Sequence, residues 1–394
     1  MSGLPQVRGW CPGAWRPMAT GDGLLVRVRP PLGRLTRAGM LALCEAAETW
    51  GSGLIELTRR ANLQLRGVSE AGWPDLMAFL VEHGLVAPDA EGERRPALLL
   101  APDWRDGDAT VAAARLLEHR MADWPDLPGK WGLALDAGPA PMLREVPADL
   151  RLERSHEGGL LVRADGRERG TPVADVEAAV ALMTRLARWF VDEGGHAAGR
   201  MRRFETPLPA WAPADTSPAE APDNVSGLTP GPHLHGRVVG LPFGRAPAAT
   251  LLSLFSPEGI TGVRVTPWRS LLLEGEPSDK GEATLDDGLI HDPRDPRLTM
   301  DACPGAPFCA QASVATQALA ERLREQLAAR RGESAGRLHL SGCAKGCARS
   351  RPAEACLTGR DGRYDLILGG RADDTPVATG LSEAEALSAL EEKK

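Results

Sequence analysis

Lysine is nearly missing from this chain: there are five in 394 residues, against forty-one arginines. Tyrosine occurs once, at Tyr364, and phenylalanine six times. So few aromatic rings leave little for stacking nucleobases. A formal net charge of −7 is also the opposite of the basic balance that nucleic-acid binders carry. No apolar run reaches the ~20 residues that a membrane-spanning helix needs. The first residues, MSGLPQVRGWCPG, lack the basic start and apolar core of a secretory leader. A cytoplasmic protein without membrane or nucleic-acid partners is the expectation. Cysteine is sparse as well, seven in all, too few for a disulfide scaffold of this length. What the chain does have is guanidinium. Coding bias accounts for much of that preference, yet each fork can grip a carboxylate at about 1.5–3 kcal/mol per charged hydrogen bond. A polycarboxylate ligand suits such a chain.

Four of the cysteines fall in two short loops near the C-terminus: Cys303 and Cys309 in CPGAPFC, Cys343 and Cys347 in SGCAKGC. A helix-length stretch separates the loops, with Leu319, Leu323 and Leu327 as its apolar stripe and Gly332 near its end. A four-iron cluster needs four thiolates converging on one cube, and two loops of two ligands each meet that need. Gly305, Gly342 and Gly346, with Pro304 and Pro307, supply the tight backbone. Structural zinc prefers pairs spaced by two to four residues, which the first loop does not have. The other cysteines read differently. Cys44 and Cys356 lie on apolar faces as small hydrophobes. Cys11 sits in a Cys-Pro turn, where packing is the simpler reading and a place beside an active site the alternative.

The chain is also a duplication. GLIELTRRANLQLRG (53–67) aligns with TGVRVTPWRSLLLEG (261–275), and Pro31-Leu32-Gly33-Arg34 with Pro242-Phe243-Gly244-Arg245. Each copy reads strand, helix, strand. In the first, Thr36 can cap a helix whose apolar face holds Met40, Leu43, Cys44 and Ala47. A second pair matches GKWGLALDAG (129–138) with GRLHLSGC (336–343), each followed by a hairpin, one turning at His156–Gly159 and one at Asp361-Gly362. Residues 205–232, rich in proline, alanine and polar groups, read as a linker between the halves. No glycine-rich dinucleotide fingerprint follows a predicted strand.

Several of these segments resemble one family. TRRANLQLRG (58–67), LPGKWGLALDAG (127–138), ACPGAPFCAQA (302–312), LHLSGCAKGCARSRPAEACLTG (338–359) and YDLILGG (364–370) resemble the nitrite and sulfite reductase superfamily over nearly the whole chain. The resemblance implies an α+β fold with pseudo-two-fold symmetry, two ferredoxin-like half-domains plus two mixed α/β domains. Its expected boundaries are 1–75 and 233–280 for the half-domains, 76–204 for the domain without a cluster, and 281–394 for the cluster domain. Members pair a 4Fe-4S cluster with siroheme, and by motif position the bridging ligand would be Cys347. Arg29, Arg60, Asn62, Gln64 and Arg66 match positions that line the tetrapyrrole pocket, and Lys130 follows the Leu-Pro element. Family members that reduce anions carry Lys-x-Lys there. Here the segment is Lys130-Trp131-Gly132, so one cation is absent, which weighs against that activity.

Within the superfamily, RGWCPGAWRPMATGDGLLVRVRP (8–30) is similar to the precorrin-3B synthases. That similarity implies an oxygen-dependent monooxygenase acting on precorrin-3A, with a 4Fe-4S cluster and a mononuclear non-haem iron. It would need dioxygen and an external electron donor, a ferredoxin or a reductase, and internal duplication makes a monomer the expectation. For the second iron the chain offers His233, His235 and His339, each more often a packed or surface histidine than a ligand. A siroheme-dependent reductase and a non-catalytic tetrapyrrole or electron carrier are the rival readings.

Overall fold

Thr36 ends an extended segment and its hydroxyl accepts the Gly39 N–H at 3.1 Å, so the helix Arg37–Trp50 starts where the sequence predicts. Met40, Leu43, Cys44 and Ala47 all face inward on it. The strands Gly23–Val28, Leu54–Leu57 and Leu63–Val68 complete the first copy. The second copy repeats them as Gly236–Gly240, Ile260–Val265 and Ser270–Gly275, with the helix Ala248–Phe255. Even the unusual backbone recurs. Leu32 and Phe243 take φ values of 54° and 53°, and Ala61 and Arg269 take 51° and 59°. Non-glycine residues rarely adopt that region, so matched pairs of them mark one turn used twice. This computed structural model describes residues 11–220, 227–256, 258–275, 288–329 and 336–391. Arg8–Trp10, the side chain of Leu327 and the predicted helix end at Gly332 lie outside the described residues.

The strands of the described residues form four five-stranded sheets. The two half-domain sheets exchange an edge. Arg34–Thr36, from the first copy, pairs with Ile260–Val265 of the second, and Arg245–Pro247 pairs with Leu54–Leu57 of the first. Leu35 and Ala246 on these short strands are 5% and 1% exposed, and one apolar core runs through both copies. The helices Arg37–Trp50 and Ala248–Phe255 pack on each other across the pseudo-two-fold.

The other two sheets share one topology. Ala97–Leu100, Gly132–Asp136 and Leu150–Arg154 run parallel, then Leu160–Ala164 and Thr171–Val173 return antiparallel. Met300–Ala302, Leu338–Ser341, Ala353–Arg360, Arg363–Gly370 and Ala378–Leu381 repeat that order and those directions. Asp361 and Gly362 both have positive φ, 48° and 77°, as a two-residue hairpin turn with the right twist requires. The α+β duplicated fold is therefore the one expected. The connector is less loose than its composition predicts: Thr216 and Pro218 form bridges to Gly170 and Ser155, laying it along the first mixed sheet. No helix among the described residues is long and apolar enough to cross a membrane.

The edge exchange makes the halves one folding unit. Leu35→Ala should lower stability by about 2–5 kcal/mol through the cavity it leaves. Urea unfolding followed by tryptophan fluorescence and by circular dichroism should shift together; two separated transitions would contradict a shared core.

Candidate functional site

Two parallel strands, Met300–Ala302 and Leu338–Ser341, end side by side, and each runs straight into a cysteine loop. The Cys303 N–H donates to Leu340 O at 3.2 Å, and the Gly342 N–H donates to Cys303 Sγ at 3.1 Å. Within the first loop the Cys309 N–H returns to Gly305 O and the Ala312 N–H to Cys309 O, both at 2.9 Å. Ser313 then ties it to the second loop through Gly342 O at 3.1 Å. Glycine is required where the loops meet, since a Cβ on Gly342 would lie 2.5 Å from that of Ala312. All seven cysteines are free thiols. Burial pushes Cys347 up to about 11, Lys345 opposes the rise, and Cys303, Cys343 and Cys309 add to it. Cys343 is raised by burial too, with Cys309 and Cys303 contributing.

Four sulfurs close enough to disfavour one another's ionisation need a shared positive charge before they can all be thiolates. A backbone N–H aimed at one of them is the kind of contact that tunes an iron–sulfur cluster. This donor set fits a 4Fe-4S cluster. Among the described residues no three His, Cys, Asp or Glu side chains close around a point suited to one metal ion. A four-iron cube gives each thiolate its own iron, so its ligands stand wider apart than those of a single ion. The expectation of a mononuclear iron finds no such ligand set. His233 and His235 lie together, ring centroids 5.5 Å apart, with His235 Nε2 donating to Asp103 O at 3.1 Å. His339 is buried elsewhere, at 1% exposure, its Nδ1 3.4 Å from Cys356 Sγ.

The cluster loops rest against a sheet face of unusual polarity. On the first sheet, strand pairing aligns Arg27, Gln64, Glu56 and Arg245 in one row. Arg27 donates to Gln64 Oε1 at 3.1 and 2.6 Å, Gln64 Nε2 to Glu56 at 3.2 Å, and Arg245 pairs with Glu56 at 3.0 Å. Arg66 grips Asp22 with two bonds of 2.9 and 2.8 Å and donates to Phe308 O, inside CPGAPFC, at 2.7 Å. Arg245 lies over the Phe308 ring, 4.7 Å from its centroid.

Beside this row opens a cavity of about 660 Å³ between the first half-domain and the first mixed domain. Arg16, Arg27, Arg29, Arg60, Arg94 and Arg95 line it, with only Glu93 and Asp126 as acids. Burial and the neighbouring Arg200 and Arg29 guanidinium groups hold Arg60 below its ordinary value, and Arg27 is lowered by burial. Unbalanced cations in a partly dry cavity favour a ligand carrying several negative charges.

Of the residues implied by resemblance, Arg29, Arg60 and Asn62 line this cavity. Gln64 and Arg66 do not; their polar groups are committed to Arg27, Glu56, Asp22 and the cluster loop. Lys130 is exposed and outside the lining, although its neighbours Gly129 and Trp131 belong to it. Cys11 does line the cavity. Its segment is held by Glu93, whose carboxylate accepts the Ala14 and Trp15 N–H groups at 2.5 and 2.9 Å. Spacing alone gave no signal for Arg16, Arg94, Arg95 or His196, because three separate segments bring them to this wall.

The first mixed domain offers a contrast at the position of the cluster. Its parallel strands also end in adjacent loops, but Asp136 stands there with no thiol partners. The carboxylate is 2% exposed; one oxygen accepts the Met142 and Leu143 N–H groups at 2.7 Å each, and the other has no hydrogen-bond partner. Burial, helped by Asp103 and Glu153, lifts it to about 6.

These features place the chain in a class. Residues 16–83 match the nitrite/sulfite reductase ferredoxin-like half domain. The structure of the Mycobacterium tuberculosis NirA protein shares the fold, with a TM-score of 0.62 at 20% identity over 88% of this chain and 74% of that one. A ferredoxin–nitrite reductase of Synechococcus elongatus is 24% identical over 91% of this chain and 81% of its own length. Fold and donor set are those of the nitrite and sulfite reductase superfamily. A precorrin-3B synthase from a Sinorhizobium species is 32% identical over 94% of this chain and 85% of its own length, and the chain belongs to that enzyme family.

A raised carboxyl such as Asp136 favours the protonated folded state, so it costs stability above its folded value and the cost fades as pH falls toward 3.8. Asp136→Asn should therefore be more stable than the parent above pH 6, by at most about 3 kcal/mol, and should match it in acid. Urea midpoints at several pH values would show it; equal shifts at every pH would refute the assignment.

Proposed function

We propose that this protein is an oxygen-dependent monooxygenase of aerobic cobalamin biosynthesis. It would hydroxylate precorrin-3A at C20 and close the γ-lactone from the ring A acetate, giving precorrin-3B. The observation that carries the reading is a cavity rich in arginine beside a four-cysteine bowl, both fixed to one polar sheet face. The similarity to a precorrin-3B synthase supports the choice of substrate.

Cys303, Cys309, Cys343 and Cys347 would hold the 4Fe-4S cluster. When bound, that group supplies electrons singly from an external donor, a ferredoxin or a reductase. One atom of dioxygen enters the macrocycle and the other leaves as water, which consumes two electrons and two protons. Arg29 and Arg60 bind carboxylate arms of the substrate, and Asn62 adds a polar contact on the same wall. Arg27 presents its fork from the sheet floor while Gln64 keeps it oriented. Trp15 and Trp131 exclude water along the sides of the cavity. His196 donates Nε2–H to Asp126 O at 2.8 Å, which makes Nδ1 its accepting nitrogen.

Reduction of sulfite or nitrite is the second reading, and two residues count against it. Lys130 lies outside the cavity, and a Cβ on Gly132 would sit 2.9 Å from Ala97 O. A lysine at 132 could not enter without parting two paired strands, so the dense cationic cage for a small anion is not built.

Anaerobically purified protein should consume precorrin-3A only when oxygen and a reductant are both present. An intense porphyrinoid band in the resting protein would instead favour the reductase. Cys343→Ser and Cys347→Ser should each lose colour and acid-labile sulfide, whereas Cys44→Ser, buried in the apolar core, should keep both. Arg60→Gln should raise KM about ten- to a hundredfold with the cluster spectrum unchanged, the loss expected of one charged hydrogen bond. An unaltered KM would remove Arg60 from the substrate wall.

A further inference from the structure

The turn Thr58–Asn62 sends two consecutive arginines in different directions. Arg60 lines the cavity, while Arg59 reaches Asp301 at 3.4 Å on the side of the cysteine bowl. Ala61, with φ 51°, makes this splay possible. In the second copy Arg269 occupies the matching turn position and pairs with the same carboxylate at 2.7 Å. Arg349, two residues beyond Cys347, approaches it at 3.2 Å, and Arg337 at 4.0 Å. Four guanidinium groups from three parts of the chain thus share one carboxylate, whose side chain is 4% exposed.

One negative charge cannot balance four positive ones. Strand pairing sets His339 directly beside Asp301, and His339 is 1% exposed with its Nε2 lacking any hydrogen-bond partner. Its Nδ1 faces Cys356, so the orphaned nitrogen is on the other edge of the ring. Arg59 and Arg337 are 43% and 41% exposed along their side chains, which leaves the nest open to solvent. Forked donors around a buried floor, with an unpartnered imidazole nitrogen in it, form a receptor for a planar, bidentate anion.

We propose that the Arg59, Arg269, Arg337 and Arg349 nest is a second anion site, separate from the cavity lining and specific for a carboxylate. On the function proposed above, on which this clause rests, that carboxylate is another acid arm of the same macrocycle, held on the cluster side. A free small carboxylate is the other source. The nest then gives the tetrapyrrole two anchors on opposite sides of one turn, Arg60 on one and Arg59 on the other. Two anchors fix a ring's orientation where one would let it pivot.

Uroporphyrin, a stable porphyrin with acetate and propionate arms, and the small acid tricarballylate are the probes. Binding to the full chain is followed by fluorescence and by calorimetry. Arg59→Gln and Arg269→Gln should each weaken uroporphyrin about tenfold. Arg59 is half-exposed and contributes one long contact, so its variant decides the matter if Arg269→Gln misfolds. If the variants lose tricarballylate binding and leave uroporphyrin unchanged, the nest is an anion site for a free acid and the macrocycle arm is excluded. Unchanged affinity of Arg59→Gln for both probes overturns the proposal. Uroporphyrin that is weakened by Arg60→Gln alone would leave the proposed function standing and the nest refuted. A wild-type chain that ignores uroporphyrin but binds tricarballylate through Arg59 would do the reverse.

Discussion

Glu56 lies 7% exposed in the middle of the first sheet, with Gln64 and Arg66 on the neighbouring strand and Arg245 on the strand donated by the second copy. A carboxylate that deep must be paired, because an uncompensated buried charge costs about 3–5 kcal/mol. Each partner in turn holds something else. Gln64 fixes Arg27 at the cavity floor, Arg66 fixes the Asp22 turn and the Phe308 carbonyl, and Arg245 covers the Phe308 ring. The exchanged strand, the cavity and the cluster loop therefore share one charge network. Satisfying Glu56 brings all three into register.

The duplication shows how little sequence change separates a working face from a filled one. Where the first copy has Arg66, the second has Glu274, bonded to Arg34 and Arg264 at 2.7 Å each. Arg264 then donates to Pro102 O and Trp104 O and lies 4.0 Å over the Trp104 ring, so that face is closed by the first mixed domain. Trp268 replaces Arg60, and Arg269 replaces Ala61. Identical backbone turns thus serve ligand binding in one copy and interdomain packing in the other. The same divergence separates Cys343 from Gly138, at matching strand ends. Thiols gather in one domain, and in its twin a buried aspartate remains.

Much of this could be read along the chain. Helix and strand periodicity around Met40, Leu43 and Leu65 depends on neighbours a few residues apart, which a linear pattern records. The cysteine loops were legible because their glycines and prolines impose local geometry whatever surrounds them. Gln64 and Arg66 show where such reading stops: motif position marked them as ligands, while Asp22 and Glu56, distant in sequence, consume their donors. Cys11 shows the converse, since only the Glu93 carboxylate, some eighty residues away, turns its segment into a cavity wall.

The sequence by itself determined the duplicated α+β framework, the four-sulfur donor set and a surplus of guanidinium, because these follow from composition, period and short-range spacing. Tertiary structure alone decided which arginines stay open to a ligand and which are spent on Glu56, Asp22 or Asp301. Charge pairing in a low-dielectric interior is a matter of distances between remote segments, and a one-dimensional chain does not contain those distances.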